Sequence, residues 1–196
     1  MKTSENILVN LNGLRFYLKS FKFEDEEVMC LIKMKRGKLN PIDVYTRIHS
    51  GCITSEVFGM TNCDCKWQMD ESLKMIAESG NGIFIYNPHH EGKSHGLLSK
   101  IQSFSLMQKG HSSSEAYNQL GLSSDNREYQ FAVNILNHLK VKSIHIITNN
   151  PDKIKICQEN GLKISSIIPI AMESPNDTVK ALYKDKVKYQ NHHIKI

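Results

Sequence analysis

Residues 65–86 read CKWQMDESLKMIAESGNGIFIY, and this stretch decides the fold class. Its first part places Trp67, Met69, Leu73, Met75, Ile76 and Ala77 at near-helical spacing, which predicts a helix with an apolar face. Gly80-Asn81-Gly82 supplies the stop. Ile83–Tyr86 follows as a short continuous apolar run, the mark of a buried strand. Helix handed directly to buried strand is the working unit of an α/β sheet.

Upstream, the pattern is strand-like. Ile7–Val9, Leu14–Leu18, Val28–Met34 and Val44–Ile48 are rich in β-branched and aromatic residues. Asn12-Gly13 and Pro41-Ile42-Asp43 read as turns, and Glu24-Asp25-Glu26-Glu27 as an exposed turn. Downstream, Leu97, Leu98, Ile101, Phe104, Ser105 and Met107 predict a second helix ending near Gly110. Phe131, Ala132, Ile135, Leu136 and Leu139 predict a third. Ile144–Ile147 is a buried strand, and Pro151 opens a helix running to Gly161. Ile164–Ile170 reads as a strand and Asp177–Lys186 as the last helix. The expected class is therefore α/β (α+β mixed), an antiparallel, β-rich N-terminal portion followed by alternating helix and strand. One domain is expected over residues 1–196, with His192-His193 and roughly the last ten residues frayed.

Composition narrows the function. Apolar residues make up 40% and charged residues 23% of 196, so a folded core is affordable. No apolar run approaches the roughly 20 residues that span a bilayer. MKTSENILVN lacks the apolar region of a secretion signal, so the expected compartment is cytoplasmic, with no membrane partner. The net charge of +5 and pI near 8.9 favour anionic partners. Basic residues cluster at Lys33, Lys35, Arg36 and Lys38 and from Lys180 to Lys195, without interleaved aromatics, so nucleic acid is not the expected partner.

Five cysteines in a chain with no export signal argue against a disulfide framework. Three of them, Cys52, Cys63 and Cys65, fall close together and point to zinc, one ion per chain. Three protein ligands leave the fourth position to water, the catalytic arrangement. A fourth ligand, His49, His95 or Cys157, would instead close a structural site, and spacing alone leaves both readings open. The nucleoside deaminases need H-x-E with P-C-x-x-C. His49-Ser50-Gly51 and the absence of that second motif set them aside.

Arg47-Ile48-His49-Ser50-Gly51-Cys52-Ile53-Thr54, then Cys63-Asp64-Cys65-Lys66-Trp67-Gln68, resembles the GTP cyclohydrolase II pattern R-V-H-S-E-C-L-T followed by C-D-C-x-x-Q. Further blocks follow in order. Glu91-Gly92-Lys93 with Gly96-Leu97-Leu98 is similar to E-G-R-x-x-G-L-L, Asp125-Asn126-Arg127 to D-x-R, and Thr148 to Lys153 to T-N-N-P-x-K. The resemblance implies zinc-dependent opening of the GTP imidazole ring at C8, with loss of formate and pyrophosphate. The product would be a diaminopyrimidinone ribosyl phosphate, an intermediate of riboflavin synthesis. It implies Mg2+ on the phosphates and a homodimer. It assigns Cys52, Cys63 and Cys65 to zinc, and Asp125 and Arg127 to catalysis, as general base and as the group on the α-phosphate. Arg47, His49, Ser50, Gln68, Glu91, Gly92, Lys93, Ser113, Thr148 and Lys153 would contact the nucleotide.

Departures surround the expected pocket. Gly51 stands where the family has glutamate, Lys93 where it has arginine, Gln102 and Phe104 where it has R-A-Y, and Ser112-Ser113-Ser114 where it has D-T-V. Three alternatives follow: an altered purine nucleotide, a reaction stopping at a formamidopyrimidine nucleotide, or a nucleotide-binding module with structural zinc.

Overall fold

A computed structural model of the chain describes residues 1–24 and 26–194. Its frame is one mixed, eight-stranded sheet. β1 (Lys2–Thr3) and β2 (Ile7–Leu11) both pair antiparallel with β3 (Leu14–Lys22), β3 with β4 (Glu27–Lys33), and β4 with β6 (Gly82–Asn87). From there the sheet turns parallel: β6 with β5 (Val44–Ser50), β5 with β7 (Ser143–Ile147), and β7 with β8 (Lys163–Ile168). The antiparallel N-terminal portion and the alternating remainder are as the sequence predicts.

Alternation along the central strands builds two cores. Successive side chains point to opposite faces. Cys30, Ile32, Ile83 and Ile85 therefore join Val133, Leu136 and Cys157 on one face, while Leu31 and Phe84 meet Leu73 and Ile76 on the other. Helix α2 (Cys65–Ser79) covers the second face, and α5 (Gln130–His138) and α6 (Pro151–Glu159) cover the first.

Several elements were not expected. β1, the short helix α1 (Ile53–Glu56), a 3-10 stretch over Pro88–Ser94 and α4 (Ser113–Gln119) carried no read signal. α4 has one in hindsight, since Ser112 and Glu115 form a capping box. Helix α3 (Gly96–Gln108) matches expectation; β8 ends two residues early, at Ile168. Glu27 opens β4 opposite Lys22 rather than lying in the acidic turn, whose Asp25 lies outside the described residues. Helix α7 (Asp177–Gln190) runs past Lys186 because Asn191 caps it, and the described residues through 194 follow it back over the site.

Candidate functional site

The carboxyl ends of parallel strands β5, β6 and β7 lie side by side, the usual place for a ligand crevice in such sheets. β5 delivers Ser50, Gly51 and Cys52; β6 delivers the Pro88–Ser94 stretch; β7 delivers Thr148-Asn149-Asn150 and the start of α6. One cleft with two lobes results. Ser50, Cys65, Arg127 and Lys186 line both.

The first lobe holds the thiols. Cys52 Sγ stands 3.6 Å from Cys63 Sγ, and all three sulfurs of Cys52, Cys63 and Cys65 lie within 4.8 Å of one another. Zinc–sulfur bonds of about 2.3 Å at tetrahedral angles separate sulfurs by about 3.8 Å. The cluster thus fits such an ion. Among the described residues no histidine or carboxylate completes it. His49 binds Glu56, His95 lies against Ser123, and Cys157 is buried in the core.

Lys100 was not anticipated. Its Nζ lies 2.9 Å from Cys52 Sγ and 2.6 Å from Glu91 Oε1. Hydrogen bonding with Cys63 and Cys65 and the Lys100 charge together pull the Cys52 thiol far below its usual range. Glu91 is fully engaged: Oε1 also accepts from Gly92 N–H, and Oε2 from Ile53 N–H at 2.6 Å. The loop carrying it is strained, with Lys93 at φ 59 and Ser94 at φ 66. Gly92 shares that left-handed backbone at φ 59, and a Cβ there would crowd Lys100 at 3.3 Å. Lys93 Nζ is buried over the Tyr117 ring with no hydrogen-bond partner among the described residues, and burial lowers it to about 8. Ser113, at the start of α4, completes this lobe.

The second lobe is basic. Arg47, Arg127, Lys153 and Lys186 line it with Thr148, Asn149 and Asn150. Arg47 donates to Ile147 O at 2.9 Å and Gln68 Oε1 at 2.5 Å, and its Nε has no partner among the described residues. Gln68 passes the chain on to Asp64 Oδ2 at 2.6 Å. Lys153 donates to Ile48 O at 2.9 Å, and burial holds it well below its usual range. Asn150 caps α6 by accepting from Asp152 N–H, so the α6 N-terminus faces the same space.

Asp125 grips Arg127 with both oxygens, Nε at 2.8 Å and Nη2 closer. Burial would raise the Asp125 carboxyl, but Arg127 overrides it and holds it at about 2. Ser50 Oγ meets His90 Nδ1 at 3.0 Å. His49 lines the basic lobe, although its ring is almost wholly buried. It is buried between Phe84 and Tyr86, and its Nε2 lies 2.7 Å from Glu56 Oε1, with Tyr86 donating to Glu56 Oε2. Of the expected site residues, all but Asp125 line one lobe or the other, and Asp125 is tied to the cleft through Arg127. Asp64, Glu56, Tyr86, His90 and Lys100 were missed because the pairings that bring them to the cleft join separate elements of the fold.

The sequence profile described as GTP cyclohydrolase II matches residues 6–169. A GTP cyclohydrolase-2 of Picrophilus torridus is 44% identical over 135 residues, 69% of this chain and 68% of that one. A GTP cyclohydrolase-2 of Buchnera aphidicola subsp. Schizaphis graminum is 38% identical over 162 residues, 82% of each chain. The riboflavin biosynthesis protein RibBA of Aquifex aeolicus is 39% identical over 155 residues, which span 79% of this chain but 37% of that one.

Proposed function

The chain belongs to the GTP cyclohydrolase II family of hydrolases, and from that premise we propose that it opens the imidazole ring of GTP at C8 and releases formate and pyrophosphate. The product is then a diaminopyrimidinone ribosyl phosphate, feeding riboflavin synthesis or a related pathway. The observation that carries this reading is the junction of the thiol cluster with a basic lobe across Ser50, Cys65, Arg127 and Lys186. A nucleotide laid across it puts its base against the thiols and its phosphates among the cations.

Cys52, Cys63 and Cys65 hold zinc in this reading, and bound zinc supplies a Lewis acid and an activated water. Lys100 offsets the excess negative charge of three thiolates and fixes Glu91 beside them. Arg47, Lys153 and the α6 N-terminus bind the polyphosphate, with which Mg2+ travels. Arg127 clamps the α-phosphate, since guanidinium recognises phosphate through a planar fork. Asp125 orients that fork. A carboxylate held at about 2 is a weak base, so positioning suits it better than proton abstraction. Lys93 Nζ and the free Arg47 Nε are further donors awaiting substrate oxygens. Gln68, His49, Ser50, Ser113 and Thr148 frame the nucleotide.

The assembly we propose is a cytoplasmic homodimer of single-domain chains. Among the described residues no helix is long and apolar enough to cross a membrane. Ile53, Val57, Phe58 and Met60 beside α1, and Leu97, Leu98 and Ile101 on α3, are large apolar side chains left exposed.

One observation favours a second reading. Phe104 lines the thiol lobe and offers no hydroxyl to a formyl intermediate. Mass spectrometry of the GTP product separates the two. The proposed reaction gives the deformylated mass, and a retained formyl group identifies the shortened one.

A further inference from the structure

Residues 170–194 lie beyond the stretch that matches the family profile, yet they close the site. Tyr183 of α7 donates to Asp64 Oδ2 at 2.6 Å. Asp185 accepts from the Ser114 N–H and hydroxyl at 3.0 and 2.9 Å. Asn191 then takes φ 51, a left-handed conformation that asparagine tolerates, and reverses the chain. His192 N–H donates to Lys186 O at 3.2 Å and His193 N–H to Asn149 O at 2.9 Å. This course sends Gln190 into the wall of the thiol lobe and His192 into the wall of the basic lobe.

Three buried polar atoms of this strap find no hydrogen-bond partner among the described residues: Gln190 Oε1, Gln190 Nε2 and His192 Nε2. Buried polar groups are nearly always paired. A strap that merely plugged the cleft would satisfy them on the hydroxyls, amides and cations lining it. Instead the residues that carry them line the two lobes, and the bonding capacity of these atoms is unused.

We infer that Gln190 and His192 are nucleotide-contacting residues supplied by a C-terminal strap, His192 to the polyphosphate and Gln190 to the nucleoside. The Gln190 amide offers a donor and an acceptor together, which suits a ring edge or sugar hydroxyl carrying the complementary pair. His192 Nε2 adds a further directed hydrogen bond to the basic lobe. The identity of the nucleotide rests on the proposed function; the two contacts rest on the strap's own geometry.

The two residues separate by probe. Calorimetric titrations of the full-length, zinc-loaded chain use inorganic triphosphate, guanosine and GTP. His192→Ala weakens triphosphate and GTP about tenfold, the worth of one hydrogen bond to a charged group, and leaves guanosine unchanged. His192→Gln, which keeps a donor at that reach, restores most of the loss. Gln190→Ala weakens guanosine and GTP alike and spares triphosphate. In turnover of GTP, His192→Ala raises KM with little change in kcat. Unchanged triphosphate affinity in His192→Ala, at equal melting temperature, overturns the assignment. So does tighter triphosphate binding in a chain ending at Asn191, which would make the tail a plug. A wild-type chain that binds triphosphate but never turns over GTP contradicts the proposed reaction, while the triphosphate comparison still decides the strap.

Discussion

The Lys100 ammonium sits 2.9 Å from Cys52 Sγ and bridges it to Glu91, joining the thiol cluster to the loop across the cleft. Three thiolates around a divalent ion carry a net negative charge, and Lys100 is the buried cation that offsets it. Removing one partner of a buried pair costs several kcal/mol because the other is left uncompensated. Lys100→Met is therefore expected to weaken zinc at least about tenfold in a chelator competition. Lys100→Arg keeps the charge and most of the affinity. Equal zinc affinity in Lys100→Met and wild type would remove Lys100 from the site.

Gly51 stands where a side chain would be tightly packed. A Cβ there would lie 3.0 Å from Pro88 Cα, 3.0 Å from the Tyr86 hydroxyl and 3.1 Å from Asn87 O. Two of those neighbours are backbone and cannot swing away. Gly51→Glu, which restores the residue expected from the family pattern, should lose about 1–3 kcal/mol through overpacking. For a chain of this size that lowers Tm by about 2–4 °C per kcal/mol. A Tm equal to or above wild type would show that the strand end opens to accept a side chain.

The pH dependence follows from histidines held neutral. Burial lowers His49 to about 4, and burial with nearby cations lowers His90 and His192 to about 3, from a usual 6.5. Below pH 6.5 the unfolded chain takes up these protons and the folded chain refuses them. Stability is thus whole above that pH and falls as pH drops towards 4. Each such proton contributes a slope of about 1.4 kcal/mol per pH unit. Asp125 adds a loss of the same sign at lower pH, as its Arg127-held carboxylate titrates at about 2. Urea unfolding at pH 7.5, 6 and 5 should show the decline, and His90→Gln should flatten it by about one proton. A stability independent of pH over this span would contradict the buried, neutral placement.

The exposed apolar residues beside α1 and on α3 are where the proposed dimer would form. Phe58 is 72% and Leu98 74% exposed, high for residues of this size. Phe58→Asp and Leu98→Asp are expected to convert a dimer to a monomer in light scattering, with far-ultraviolet circular dichroism unchanged. A dimer that survives both substitutions uses another surface.

Much of this was legible from residue order. The run from Ile83 to Tyr86 became the buried strand β6, and the cysteine spacing became the thiol cluster. Sheet order was not legible, because nothing local says that β6 inserts between β4 and β5. Lys100 lies 48 residues from Cys52, and Tyr183 lies 119 from Asp64, so neither pairing leaves a periodic trace. α1, at four residues, is too short to show a period. The inward turn at Asn191 was not legible, because polar, lysine-rich sequence gives no sign that the chain reverses there.

The most direct test is turnover itself. Full-length protein loaded with one zinc is incubated with GTP and Mg2+, and formate and pyrophosphate are measured together. The account predicts release of both in equal amounts, abolished in Cys63→Ser and by zinc removal. Folded, zinc-loaded protein that yields neither product from GTP would contradict it.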